Sequence, residues 1–184
     1  MEDQKTIIHG DIRSYNIGLD ENLEAKIVNF RLSVFLPPNQ EDEAFYLRES
    51  DVYGFGVVLF EILCGRLAFD PIYLKESDIG LAHVARRSFS TRSLEEMIDP
   101  LIKEEIGENK FVLNRGPNKD SLHTFISIAH QCVAETQDQR PTMKIVVKEL
   151  EKALFFQVSH CSKFSLSTPR SNLCDGSLLY RKQN

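Results

Sequence analysis

No run of apolar residues approaches the roughly 18 needed to cross a bilayer as a helix. The first ten residues, MEDQKTIIHG, lack the apolar core of a signal peptide. The chain is therefore expected to be soluble and, as given, cytoplasmic, with no membrane segment. A basic excess is also missing. Lys and Arg number 22 against 27 Asp and Glu, a net charge of -5 with the signs interspersed, which argues against nucleic acid as the main partner. Cysteine is scarce and unpatterned: Cys64, Cys132, Cys161 and Cys174 show no metal-type spacing, and two of them fall in predicted helices. They read as reduced thiols, not as a zinc site or a disulfide framework.

With 184 residues, 42% of them hydrophobic, the chain has enough apolar material for one core. Its organising stretch is Glu49 to Leu63, ESDVYGFGVVLFEIL, nearly free of charge. Ser50 or Asp51 is placed to cap a helix there, and Leu, Ile, Val and Phe fall on every side, the pattern of a helix buried all round. Gly54 and Gly56 each cost about 1 kcal/mol of helix propensity, which suggests that other pieces of backbone approach closely. Gly65 is expected to end the helix.

Upstream, Thr6–Ile8 is a short β-prone run leading into His9-Gly10-Asp11-Ile12-Arg13-Ser14-Tyr15-Asn16. Ile17-Gly18-Leu19, a turn at Asp20–Asn22, and Ala25-Lys26-Ile27-Val28 then read as a hairpin ending at Asn29-Phe30-Arg31. The loop ahead of the hairpin offers one acid, one base and one amide. By itself this is weak evidence for chemistry, since Asp and Asn are ordinary turn formers.

The stretch IIHGDIRSYNIGLDENLEAKIVNFRLS resembles the catalytic loop and metal-binding strand pair of a protein kinase, whose usual wording is H-R-D-x-x-x-x-N and D-F-G. SDVYGFGVVLFEIL resembles the central helix of the kinase C-terminal lobe, and Gln139-Arg140-Pro141-Thr142-Met143 the start of its last helix. The wording is most similar to the receptor-like serine/threonine kinases of plants, over about residues 5–156. The resemblance implies a mainly α, protein-kinase-like C-terminal lobe with a small β-hairpin at the catalytic loop, the N-terminal lobe being absent. It also implies ATP and magnesium as family cofactors, and serine or threonine of proteins as the family's substrate. By the same resemblance Asp11 matches the catalytic carboxylate, Arg13 stands where a lysine is usual, and Asn16 matches a magnesium ligand. His9 and Phe30 match residues packed against the central helix. Asp51 matches a carboxylate that accepts backbone N–H groups of the catalytic loop.

Departures from the family pattern cluster where phosphate, metal and nucleotide belong. Asn29 replaces the D-F-G aspartate, a neutral amide in place of the hard anionic oxygen that magnesium prefers. Arg31 replaces the following glycine, with an expected backbone penalty at positive φ. Gly18 stands at the floor under adenine, normally a large apolar residue, and Gly10 replaces an arginine. No A-P-E-like stretch lies between Leu36 and Ser50; LPPNQEDEAFYLRES is acidic and turn-prone instead. Arg140 consequently lacks its usual glutamate and is expected to find another carboxylate or face water.

Further along, Asp78–Arg87, Ser93–Ile98, a helix capped by Ser121 and carrying Leu122, Phe125, Ile126, Ala129, Cys132 and Val133, and Thr142–Phe156 read as helices. In the last, Met143, Val146, Val147, Leu150 and Leu154 are expected to face inward. Residues 107–120 read as a surface loop. His83, His123 and His130 read as satisfied structural histidines. The boundaries that follow are a partial kinase-like domain over 1–156 and a serine-rich, disordered tail over 157–184. Three functional readings stay open: a degenerate, pseudokinase-type binding module whose partner is a full-length receptor-like kinase or other signalling protein; a fragment of an active serine/threonine kinase; and an unstable truncated product.

Overall fold

A computed structural model describes residues 6–36, 45–104 and 118–165. Four short strands precede six helices: β1 Thr6–Ile8, β2 Ile17–Leu19, β3 Ala25–Ile27, β4 Val34–Leu36, α1 Phe45–Cys64, α2 Pro71–Leu74, α3 Leu81–Ser90, α4 Pro100–Glu104, α5 Lys119–Cys132 and α6 Met143–Ser165. The mainly helical class expected from the sequence is what the described residues form. β2 and β3 pair antiparallel, with Ile17 opposite Ile27. β1 pairs antiparallel with β4 across the whole loop-and-hairpin segment, Ile8 opposite Val34, so the residues between are closed into one unit.

The core forms where α1, α3 and α5 meet. Val52, Leu59, Phe60 and Leu63 of α1 pack with Leu81, Val84 and Ala85 of α3, with Ile128, Ala129 and Cys132 of α5, and with Val146 of α6. Both glycines of α1 mark close approaches. A Cβ at Gly54 would collide with the Ile12 carbonyl oxygen, and one at Gly56 would lie 2.5 Å from Cys132 Cβ. The helix propensity given up at these two positions thus lets the 9–16 loop and α5 dock directly on the helix.

Several boundaries differ from the expected ones. α1 begins at Phe45, so Ser50 and Asp51 lie within it and do not cap it; nothing between 45 and 53 breaks a helix, and propagation costs less than starting anew. The helix is not covered on every side, since Ile62 is 60% exposed. α3 starts at Leu81 and not at Asp78, because the Leu81 N–H donates to the Ala68 carbonyl (3.0 Å). The stretch expected as a helix at 93–98 is a single 3₁₀ turn, Leu94–Met97. α5 is capped by Asn118, whose Oδ1 accepts from the Asp120 and Ser121 N–H groups at 2.8 and 3.2 Å, and not by Ser121.

The last helix departs most. It runs on to Ser165, past the expected boundary at Phe156, and no proline or glycine lies between 142 and 165 to stop it. The Gln157 side chain accepts the Asn118 N–H (2.7 Å), tying this extra turn to the start of α5. Its inward stripe is Val146, Leu150 and Ala153. Met143, Val147 and Leu154 are 36%, 49% and 63% exposed, because consecutive valines at 146 and 147 offered two stripes one position apart and α5 packs on the first. Most of the expected 107–120 loop, the greater part of the acidic stretch after Leu36, and the tail beyond 165 lie outside the described residues.

Cys64 and Cys132 are buried free thiols, and burial pushes them up to about 11 and about 12, so both are protonated packing groups. The Cys161 side chain and Cys174 lie outside the described residues. His130 stacks on Phe89 with ring centroids 3.8 Å apart. His83 is not satisfied as expected: its buried Nδ1 has no hydrogen-bond partner among the described residues.

Two outcomes follow from this packing. Gly54→Ala forces the 9–16 loop off α1, lowering stability by about 1–3 kcal/mol; chemical denaturation and faster hydrogen exchange at residues 9–16 read it. Burial, with Arg86 nearby, depresses the His130 pKa below its ordinary 6.5. The folded state thus favours neutral imidazole, and the associated stability is present above that value and is lost as pH falls toward the folded pKa. His130→Phe keeps the ring stack, and its melting temperature should fall less than that of the wild type between about pH 7 and pH 5.

Candidate functional site

The loop between β1 and the first 3₁₀ turn, Ser14–Asn16, is suspended from α1 by one carboxylate. Asp51 Oδ2 accepts the His9 N–H at 2.7 Å and Oδ1 accepts the Gly10 N–H at 2.8 Å. Charge-assisted bonds of this kind are worth about 1.5–3 kcal/mol each. His9 is 5% exposed. Its Nε2–H donates to the Val28 carbonyl at 3.0 Å, and Nδ1 accepts the Asp11 N–H at 3.3 Å, so one ring ties strand, loop and hairpin end together and its tautomer is fixed by both partners. Gly10 has φ +79°, and a Cβ there would lie 2.8 Å from the Leu32 carbonyl oxygen; this backbone resists an arginine at the position.

The loop presents Asp11 at the mouth of a cleft of about 1030 Å³. Both of its carboxylate oxygens are engaged. Arg13 donates through Nε (2.7 Å) and through its terminal nitrogen to Asp11 Oδ1. Asn16 Nδ2 donates to Asp11 Oδ2 at 2.9 Å and to its carbonyl at 2.8 Å. The Arg13 guanidinium, with Asn16 in support, holds the Asp11 carboxyl below its ordinary value against the opposing effect of desolvation. Buried Asn16 is filled on its other side, since its Oδ1 accepts from Asn29 Nδ2 at 3.0 Å. Asp11, Arg13, Asn16 and Asn29 therefore form one continuous hydrogen-bonded chain with a single full anionic charge.

Asn29 has φ +67°, in the left-handed region that asparagine tolerates better than most residues. Arg31 does not carry the expected backbone penalty. It sits in the 3₁₀ turn Phe30–Leu32, and the left-handed step falls two residues earlier. Gly18 faces open space, with nothing within 4 Å of a Cβ placed there. Phe30 meets the His9 ring edge-on at 5.1 Å and remains 55% exposed.

Arg140 found neither a carboxylate hydrogen bond nor open water. Nε donates to the Ala134 carbonyl (3.0 Å), one terminal nitrogen to the Glu49 carbonyl (3.1 Å), and the plane lies over the Tyr53 ring at 4.6 Å. Two backbone carbonyls, one after α5 and one in α1, and an aromatic face replace the anion. The Glu49 carboxylate is close enough to be felt electrostatically, and burial pushes its pKa up while Arg140 and Arg48 pull it down.

One residue was passed over in the sequence. Glu61 stands inside the apolar run of α1, accepts the Ala68 N–H at 2.7 Å through Oε1, and lines the cleft. A single charged residue in the apolar run 52–64 was the available signal. Among the described residues no group of three or more His, Cys, Asp or Glu is arranged to hold a metal ion, and no helix is long and apolar enough to cross a membrane. Because both Asp51 oxygens are used, Asp51→Asn should lower stability by about 1.5–3 kcal/mol, read by urea denaturation, with Asp51→Glu recovering only part of it.

No protein-family model matches the chain. Among curated proteins, a probable receptor-like protein kinase of Arabidopsis thaliana is 35% identical over 174 residues, covering 84% of this chain and 20% of the relative. The receptor-like protein kinase ANXUR2 of the same plant is 35% identical over 171 residues, 83% of this chain and 18% of the relative. The wall-associated receptor kinase-like 15, also from A. thaliana, is 34% identical over 166 residues, 80% of this chain and 25% of the relative. The chain thus spans about a fifth to a quarter of the length of these relatives. Over most of its length the chain is homologous to part of these plant receptor-like protein kinases.

Proposed function

We propose that this chain is a degenerate kinase C-terminal lobe that does not transfer phosphate and serves as a binding module in receptor-like kinase signalling, on the cytoplasmic side. The observation that carries the reading is the hydrogen bond from Asn29 Nδ2 to Asn16 Oδ1 (3.0 Å). It engages the Asn16 amide oxygen with a neutral side chain, where the resemblance would place a metal ion.

The residues present do not fit a magnesium nucleotide. Mg²⁺ is held through charged oxygens in near-octahedral geometry. Asp11 is the only carboxylate in the hydrogen-bonded chain, and Arg13 and Asn16 occupy its oxygens. Gly18 supplies no side chain against which an adenine could stack. The charge stabilisation lost with the metal is worth several kcal/mol, or more than about a hundredfold in rate.

A competing reading, an active serine/threonine kinase segment, draws on one feature: Asp11 and Asn16 stand in direct contact, on a loop held by Asp51. The two separate in a thermal-shift measurement with ATP, with and without magnesium, run beside transfer of labelled phosphate to a protein acceptor. The expected result is no magnesium-dependent shift and no label, with Asn29→Asp gaining the shift. A magnesium-dependent shift in the unaltered chain that Asp11→Ala abolishes, or label on the acceptor, overturns the proposal.

A further inference from the structure

Helix α6 carries more apolar surface than the core covers. Val146 and Ala153 are buried on the side that packs on α5, and Leu150 is half-buried beside them. A second stripe lies roughly a quarter turn round the helix. Met143, Val147, Leu150 and Leu154 recur at spacings of four, three and four, the repeat of helices that pair along an apolar seam. Leu150 belongs to both stripes, whereas Met143, Val147 and Leu154 face solvent. Two stripes set in this way are the means by which one helix of a bundle meets two neighbours. At the next seam position stands Gln157, a polar side chain that accepts the Asn118 N–H, so the open seam is about three turns long.

The border of this seam is charged in a particular order. Lys144 and Glu151, both exposed, follow the seam residues Met143 and Leu150 on the side away from α5. Seven positions apart, they are too distant along the helix to meet each other. Neither forms an ion pair among the described residues. Glu149 and Lys152, by contrast, close on each other at 3.3 Å.

We infer that α6 pairs with α6 of a second copy of this chain, antiparallel and about a two-fold axis, with Val147 on Leu150 of the second copy and Met143 on its Leu154. In that register Lys144 faces Glu151 of the second copy, and symmetry makes the same pair again with the roles exchanged. Charge complementarity therefore selects both the occupant and its direction. A parallel pair sets Glu151 across from Val146 and leaves both charges without a partner. The pairing uses no residue of the Asp11 loop and stands whether or not the chain transfers phosphate. Four seam residues per copy make a contact below the standard size, so dissociation on the order of 10 µM is expected.

Sedimentation equilibrium of the full chain over a range of concentrations tests this. Wild type should pass from monomer to dimer. Lys144→Glu and Glu151→Lys each replace two attractive pairs by two repulsive ones and should weaken the dimer about tenfold. The double variant carrying both exchanges the charges, restores both pairs and should return to within about threefold of wild type. Leu154→Glu places two acids in the seam and should abolish the dimer. All four substitutions fall on exposed positions, and circular dichroism melts confirm that the variants fold. A wild type that stays monomeric at about fifty times the expected constant overturns the inference. So does a dimer that Leu154→Glu leaves intact, or a double variant no tighter than the two single ones. Suppression of the dimer by a synthetic segment of residues 166–184 overturns it as well, by placing the chain's own tail on the seam.

Discussion

Two hydrogen bonds from one carboxylate hold the candidate site to the rest of the protein. Asp51 rises from a buried helix and takes the N–H groups of His9 and Gly10, donors that otherwise have no strand to pair with. The β1–β4 ladder closes the segment on the other side, and His9 links the loop to the end of the hairpin. Backbone amides at a chain reversal cannot be buried unpaired without cost. A charged acceptor on a core helix therefore satisfies the loop's backbone while its side chains face outward. Gly54 reinforces this, because the same helix turn that projects Asp51 lets the Ile12 carbonyl come into contact.

The residues that hold the loop and the residues that the loop displays have separate fates. Asp51, His9, Gly10 and Gly54 hold the loop's backbone in place, through a carboxylate, a ring and two close approaches, independently of the side chains that the loop displays. Asp11, Arg13, Asn16 and Asn29 act through side chains, and here those side chains satisfy one another. Within this chain both Asp11 oxygens and the Asn16 amide are engaged, and the single carboxylate charge is neutralised by Arg13. The loop expends most of its polar groups on itself.

Much of this was legible in the sequence because it rests on patterns that local chemistry enforces. The apolar run with two glycines marked the central helix and its close neighbours; the β-prone runs either side of Asp20–Asn22 marked the hairpin. What escaped depended on partners distant in the chain. The start of α1 was misplaced because Asp51 looked like a cap when its carboxylate serves a loop more than forty positions upstream. The inward face of α6 was misread because Val146 and Val147 both fit an apolar stripe and only α5 decides between them. Arg140 was expected to seek a carboxylate, yet carbonyls and the Tyr53 ring satisfied it, an arrangement that spacing alone does not reveal.

The same distinction separates the cleft wall from the loop. Side chains that have found partners within the chain contribute little new free energy when a ligand arrives, since any bond gained replaces one lost. Asp11, Asn16 and Asn29 are in that condition. Glu61 is not: its outer oxygen has already lost water and has gained nothing in exchange. The polar contact still open in the cleft therefore sits at Glu61 and not in the residues that resemble catalytic ones.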